Sequence, residues 1–495
     1  MIRPNRTPRA AVPVREKMAE PRQDFHRSRF QAAKTSRLNQ THWSSTSPSS
    51  INDALAGGDL ATIRERCIFE FSNNPNIEGM VEQYAVDLVG KFGPSLQVQS
   101  ENPAFNESLE SSWKNWWAMP DAQNRLSGPD MLKLMVRMFF QCGENVIQKA
   151  NIADAPGPVS FRLKNIHPRR LDTPFDKAGS ADIILGVELD SIGRPARYYI
   201  SVEELVNGIS LASTTSLALD ASNIIHLFIQ KEPDQVRGLP WLTTPLSTAA
   251  DLRDYESQVM DAARIAADNA GYLYTDRMDA PFVEVAGSVD IEPRTINTLP
   301  PGYRMEQLNP RQPSAQYKDF RDEKLEELGA PVGMPLMKIK RNASGHNYSS
   351  ARFDAQGFNM AINSLEGYLE RNLLAECVGQ VARELQLAPT GQRLGPVPMD
   401  TKLVWTWPQP PHVDPVKEAN AAGIRIDNQI STITDELAGQ GKTLEEYIDK
   451  RRRELDALDA AGLNQDQSAA DIQAADFNDD EGDEDEPPRR KIQAI

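Results

Sequence analysis

With 495 residues, of which 40% are hydrophobic and 25% charged, the chain is long enough for one large core or for two to three ordinary domains. Its 54 basic and 70 acidic side chains leave a formal charge of −16, which excludes a protein that wraps nucleic acid over a broad basic face. No run approaches the roughly 18 apolar residues of a membrane-spanning helix, and MIRPNRTPRAAVPVREK lacks the apolar middle of a secretory signal, so we expect a protein of a cytoplasm with no membrane partner.

The first 37 residues carry Arg3, Arg6, Arg9, Arg15, Lys17, Arg22, Arg27, Arg29, Lys34 and Arg37 against Glu16, Glu20 and Asp24. So polar a stretch cannot build a core, and residues 1–59, with their Ser/Thr/Gly-rich end, read as a flexible basic arm. Helical spacing starts near Asp59 with Leu60, Ile63, Cys67, Ile68 and Phe71, and Asn73, Asn74 and Pro75 stop it. A second helix is predicted over 76–91, with Ile77, Met80, Val81, Tyr84, Ala85, Leu88 and Val89 on one face. Trp113, Trp116 and Trp117 continue the helical pattern as a packed cluster. Between 140 and 230 the pattern shortens to strand-like runs at 183–189, 196–202 and 224–229. The stretch GVELDSIGRPARYYI reads as a hairpin turning at Asp190 to Gly193, in a sheet that is antiparallel or mixed.

After Pro240, Leu242, Leu246, Ala249, Leu252, Tyr255, Val259, Ala262 and Ala266 predict a helix of about eight turns. A Pro- and Gly-punctuated interval over 271–313 holds YLYTD, VDIEPRT and YRMEQLNP as short strands, and a helix follows at 316–328. Residues 329–347, GAPVGMPLMKIKRNASGHN, read as a loop. Phe358, Ile362, Leu365, Leu369, Leu373, Cys377, Val381 and Leu385 mark another long helix that ends before Pro389. WTWPQPPHVDP is an extended connector, and a last helical region spans 416–458. The tail beyond Gly462 holds Asp479, Asp480, Glu481, Asp483, Glu484, Asp485 and Glu486, then Arg489, Arg490 and Lys491. There is no internal repeat.

Signals for chemistry fail one by one. Cys67, Cys142 and Cys377 share no metal-ligand spacing and read as core thiols, and the six histidines are isolated from one another. Gly441-Lys442-Thr443 imitates a phosphate loop, but Glu436 stands where that loop needs its first glycine, and Thr443 with Glu446 is better explained as a helix-capping box. Ser344, His346 and Asn347 come with no oxyanion-forming motif. Carboxylates such as Asp251 and Asp254 belong to a solvated or inter-subunit helix face. We therefore expect no catalytic residue, no metal and no cofactor.

Several segments, in order, resemble lambda-type phage portal proteins. They are RERCIFEFSNNPNIEGMVEQYAVDLVGKFG, GVELDSIGRPARYYI, the long stretch from Ile224 to Ala270, NYSSARFDAQ, and 407–463, which opens WPQPPHVDPVKEANAAGIRIDNQ. The sharpest residues are Gln235, Arg237 and Gly238 before the long helix, and Asn347, Tyr348, Ser349, Ser350 and Arg352. A local reading stands beside the resemblance, with Pro240 setting up a turn and Ser349 helping to cap a helix.

The resemblance implies an α+β, portal-like subunit with an α/β wing, a long helical stem, a small clip of short strands and a helical crown. It implies a wing over 60–240 and 348–410, stem helices at 241–270 and 314–328, and a clip at 271–313. A tunnel loop then falls at 329–347, the crown at 411–462 and an acidic tail at 463–495. It further implies a non-enzymatic homo-dodecamer at one capsid vertex, assembled in the host bacterial cytoplasm. Double-stranded DNA would lie in its channel, and the terminase large subunit, major capsid and scaffold proteins and a head-tail adaptor would be its partners. Lys338, Lys340 and Arg341 become channel candidates for DNA phosphates, against the alternative that they pair with acids of the neighbouring subunit. The stem helix carries Asp251, Arg253, Asp254, Glu256, Asp261 and Arg264, charges suited to packing on a rotated copy. Net acidity suits a conduit that DNA must slide through. An ATP-driven terminase would instead show a phosphate loop and a strand-borne acid pair. Another scaffold or interaction protein of the phage head is the remaining alternative.

Overall fold

The computed structural model describes residues 50–180, 182–206, 209–268, 272–274, 304–306, 316–345, 347–389, 393–408, 415–439 and 444–460. The chain divides into two units, Met1–Ser50 and Ile51–Ile495, and all elements below belong to the second. The basic arm, VDIEPRT, Thr443 of the predicted capping box, His346 and the acidic tail lie outside the described residues.

Helix begins earlier than the sequence pattern predicts. Ile51–Ala54 (α1) runs through a wider turn at Leu55–Asp59 into α2 at Leu60–Asn73, so among the described residues helix is already present at Ile51, ahead of the expected start near Asp59. The reason is tertiary: the Asn52 amide donates to the Asp234 carbonyl at 2.8 Å and accepts from the Val236 N–H at 3.1 Å, and Leu55 is buried. Asn74 then works twice. Its N–H closes the end of α2, and its side chain accepts from Asn76 N at 3.1 Å to open α3, Pro75–Val89. The α3 face named from its spacing is buried residue for residue.

Next come β1 (Ser95–Gln99), α4 (Pro103–Trp117) and α5 (Gly128–Gln141). The tryptophans on α4 form the expected cluster: Trp113 stacks on Trp117 at 5.1 Å between centroids and Trp116 on Phe161 at 5.3 Å. The strand-rich interval holds β2 (Glu144–Asn151), β3 (Phe161–Ile166), β4 (Ile183–Ile184), β5 (Val187–Leu189), β6 (Pro195–Val206), β7 (Ile209–Asp220) and β8 (Ile224–Phe228). They form two sheets, ordered β3-β2-β8 and β4-β5-β6-β7, and every ladder is antiparallel. The β5–β6 hairpin turns where predicted. Asp190 Oδ1 accepts from the Ile192 and Arg194 N–H groups at 3.0 and 2.9 Å, and Gly193 sits at φ +81.

The long helix α6 spans Leu246–Asp268, 23 residues or about six turns, not eight. Trp241–Thr243 make a separate tight turn, with Thr243 donating back to the Pro240 carbonyl, and the helix starts only after Pro245. Two of the predicted clip strands pair antiparallel, β9 (Tyr272–Tyr274) with β10 (Arg304–Glu306). Helix α7 runs Tyr317–Gly329. The interval expected as a loop contains a tight turn at Ala330–Val332 and a short helix, α8, at Leu336–Lys340, because Ile339 is buried in the main core and anchors it there.

Tyr348–Leu369 (α9) continues through a wider turn at Glu370–Leu374 into α10, Ala375–Leu387. β11 (Lys402–Thr406) takes the first part of the expected connector and pairs with β1. The last helical region is three helices, α11 (Pro415–Asp427), α12 (Ile433–Gly439) and α13 (Leu444–Ala460). The main core joins α2 to α5, β1 to β3, β8, α6 to α10 and Trp407, while a smaller one lies beneath the four-stranded sheet. The mixture of helices and antiparallel sheets is the expected α+β class. Among the described residues no helix is long and apolar enough to cross a membrane.

Candidate functional site

Three of the residues singled out in the sequence, Gln235, Arg237 and Gly238, lie in the segment between β8 and α6. They close on a residue that the sequence reading missed, Glu144, the first residue of β2. Glu144 is fully buried. Its Oε1 accepts from Arg237 Nη2 at 2.6 Å, Arg64 Nη2 at 2.7 Å and Arg237 Nε at 2.9 Å. Its Oε2 accepts from the Gly238 N–H at 2.7 Å and lies 3.1 Å from His226 Nε2. Arg237 spends its remaining donors on the carbonyls of Leu171 (3.0 Å), Pro168 (3.1 Å) and Leu185, and Arg64 Nε donates to the Cys142 carbonyl at 3.0 Å. Burial pushes the Glu144 carboxyl up, but the guanidinium charges of Arg237 and Arg64 with His226 outweigh it and hold the group well below the usual carboxylate range.

Backbone geometry makes room for this cluster. Gly143 sits at φ +81, and a Cβ there would lie 2.2 Å from the Leu239 carbonyl carbon, while a Cβ on Gly238 would lie 2.2 Å from the Gly143 carbonyl oxygen. The two glycines are thus pressed back to back, which aims the Gly238 N–H at Glu144. Gln235 shapes the same segment from within: its side-chain Oε1 accepts from Lys231 N at 2.7 Å and its Nε2 donates to the Arg237 carbonyl at 2.7 Å. Outside the cluster lies an open cleft of about 420 Å³, lined in part by Tyr198, His226, Gln230 and Asp234. With both Glu144 oxygens occupied by donors and the group sealed from solvent, the carboxylate serves to fix a chain path. One sign of Glu144 was present in the sequence, a Gly-Glu pair at the head of the apolar run Val146-Ile147.

The second motif serves a different element. Asn347 is the N-cap of α9, its side chain accepting from Ser350 N at 2.8 Å, so the cap is Asn347 rather than Ser349. Ser350 Oγ donates to the Asn347 carbonyl at 3.1 Å, Tyr348 opens the helix, and Ser349 and Arg352 are exposed.

The channel candidates are held within the chain. Lys338 reaches Asp87 of α3 at 3.1 and 3.2 Å, and Lys340 reaches both oxygens of Asp322 of α7 at 2.7 Å. Arg341, exposed and left-handed at φ +50, donates to the Gly79 carbonyl at 3.4 Å. The expected stem is tied down likewise. Arg253 pairs with Glu70, Glu256 with Arg321 at 2.6 Å, and Arg321 donates to Asn76 at 3.0 Å. Two of the charges expected to meet a neighbouring copy, Arg253 and Glu256, therefore already meet α2, α3 and α7.

Cys67, Cys142 and Cys377 are buried free thiols, as expected for core residues. Burial raises Cys67 to about 12 and Cys142 to about 11. Glu366 on α9 is the unusual acid: burial, then the charge of Glu370 one turn on, pushes its carboxyl up to about 7. The native chain then binds this proton more tightly than the unfolded one, so the contribution of Glu366 is favourable below about pH 4.5 and is lost as pH rises through about 7. Glu366→Gln should raise stability by ~1–2 kcal/mol at pH 8, after allowance for solvent screening of a half-buried group, and by nothing at pH 4. Urea unfolding at the two pH values measures this, and equal shifts at both would contradict it.

The model for the lambda family of phage portal proteins matches residues 36–365. The portal protein of Escherichia phage N15 is 20% identical over 441 residues, covering 79% of this chain and 83% of that protein. Portal protein B of Escherichia phage lambda is 20% identical over 442 residues, with the same coverage of each. Among solved structures, a chain in the neck of a native gene transfer agent particle, computed with C12 symmetry, is 14% identical, with a TM-score of 0.41 over 75% of this chain and 89% of that one. An HK97-family phage portal protein from Corynebacterium diphtheriae is 10% identical, with a TM-score of 0.28 over 70% and 95%.

Proposed function

This chain belongs to the lambda family of phage portal proteins, and from that premise we propose that it closes a dodecameric ring at one capsid vertex. The ring is the channel for packaging and ejecting double-stranded DNA. It is also the platform on which the terminase large subunit, the head-tail adaptor and the capsid and scaffold proteins dock, and it carries no catalysis of its own. The observation that supports this reading most is the family match across residues 36–365, which takes in the Glu144 cluster and the Asn347 cap. A cluster that sets the path from β8 into α6 suits a wing that must hold its long helix at one angle in every copy of a ring.

Mass photometry of the purified protein, with negative-stain images of the same sample, tests the reading. Rings of dodecameric mass with a central hole are expected; a compact dimer without a channel would overturn it and favour a scaffold or interaction protein.

Within this reading 329–347 is the tunnel loop, and its cations divide by what already holds them. Lys338 and Lys340, each on an aspartate of this chain, fasten α8 to α3 and α7, and Arg341 is the cation that phosphates reach. Lys338→Ala and Lys340→Ala should each cost about 1 kcal/mol of stability, as half-buried ion pairs do. Arg341→Ala should instead leave stability alone and reduce retention of DNA in packaged heads. Unchanged retention in Arg341→Ala heads, with retention lost in the lysine variants at full ring stability, would reverse this division.

A further inference from the structure

Helices α11, α12 and α13 have almost no core of their own. Among the described side chains of these helices and of the turn between α11 and α12 only Leu437 is buried, while Ile424, Ile430, Ile433, Tyr447, Ile448 and Leu455 are exposed, Ile430 by 75% and Ile448 by 44%. The corner between α11 and α12 is nevertheless well built. Arg425 makes a two-pronged pair with Glu436 at 2.8 and 2.9 Å, and Thr432 and Asp435 cap α12 reciprocally. Defined ends with an uncovered apolar face are unexpected in a segment meant to stand in water, because a 17-residue helix such as α13 draws most of its stability from packing.

The face of α13 has a specific spacing. Leu444, Ile448, Arg451, Leu455 and Leu458 follow one another at intervals of four, three, four and three residues, the repeat that keeps one seam facing a partner helix along its length. Arg451 at the centre of the seam is paired with Glu454 of its own helix at 3.1 Å. We propose that this seam packs against α13 of a neighbouring copy of the same chain, so that the terminal helices acquire their core only on assembly. The inference rests on the ring reading above and names the residues of one subunit contact.

Charge identifies the occupant. Lys450, Arg451, Arg452 and Arg453 form a basic band at the middle of α13, flanked by the acids Glu445, Glu446 and Asp449 before it and Glu454, Asp456 and Asp459 after it. Two copies in equal parallel register would set cation against cation. A neighbour displaced by about one heptad sets the basic band of one against an acidic flank of the other, and the unequal surfaces of a head-to-tail ring contact supply such a displacement. The same displacement brings Ile448 of one copy beside Leu455 of the next.

Full-length protein carrying Ile448→Cys and Leu455→Cys together should give, on mild oxidation of assembled rings, a ladder of covalent multimers on a denaturing gel, and neither single variant should. Hydrogen exchange read over 444–460 in wild-type rings should be at least tenfold slower than in separated subunits, and Ile448→Asp with Leu455→Asp should abolish that difference. Wild-type rings whose α13 exchanges as fast as in the subunit, with no ladder from the double cysteine chain, overturn the inference and leave the ring reading standing. A wild type that forms no ring at any concentration, with α13 unprotected, overturns both.

Discussion

Glu144→Ala is expected to destabilise the folded chain by about 3–5 kcal/mol, since it leaves the guanidinium groups of Arg64 and Arg237 buried without a counter-charge. Both arginines are closed to solvent, and Arg237 is only 1% exposed, so neither can recover the lost interaction from water. The carboxylate also accepts the Gly238 N–H, so the change frees the backbone just before α6 as well as unbalancing charge. Glu144→Gln, which keeps the shape, should lose somewhat less. The pH dependence has a definite sign: a carboxyl held low in the native state favours folding above the ordinary carboxylate range, and this contribution is lost as pH falls through its depressed native value. Stability of the wild type should therefore fall below about pH 4.5 more steeply than that of Glu144→Gln. Urea midpoints by circular dichroism at pH 7 and pH 3.5 provide the measurement. A variant as stable as the wild type at pH 7 would show that the cluster does not hold the segment.

Gly143→Ala and Gly238→Ala should each cost roughly 3 kcal/mol or more, combining overpacking with backbone strain. A flexible side chain can yield to a new methyl group, but here the obstructing atoms are backbone: the Leu239 carbonyl carbon for one glycine and the Gly143 carbonyl oxygen for the other. At Gly143 a second cost is added, because φ +81 is a conformation that alanine avoids. The two changes should not add, since each pushes the start of β2 and the Gly238 segment apart, and the double variant tests that coupling. On the proposed ring reading, assembly should fail in step with stability, because α6 leaves this junction. An alanine at Gly238 that left both folding and ring mass unchanged would mean that the close approach of the two backbones is dispensable.

The elements legible in the sequence were those whose neighbours impose one period. The buried face of α3 was named residue by residue and the buried spine of α9 with α10 from Phe358 to Leu385 without Leu374, Val378 and Ala382, the turn of the β5–β6 hairpin was placed at Asp190 to Gly193, and the Trp cluster was recognised. Less legible were strands such as β7, ISLASTTSLALD, whose serines, threonines and alanines carry no clear alternation, and β1 with β11, which pair across some three hundred residues. The register of such pairs is decided by what covers each face, and that information is not local.

The sequence by itself determined the α+β class and the family, and it singled out Gln235, Arg237, Gly238 and Asn347 for attention, because turn, cap and period are properties of neighbouring residues. It could not determine what those residues do. Arg237 acquires a role only when β2 brings Glu144, 93 residues away in the chain, beneath it, and α2 brings alongside Arg64, itself 80 residues from Glu144. Lys338 and Lys340, which the sequence offered as contacts for DNA phosphates or for acids of a neighbouring subunit, pair with Asp87 and Asp322 of the same chain. The physical reason is common to both cases: a buried charge is defined by its partners, and partners are chosen by the fold.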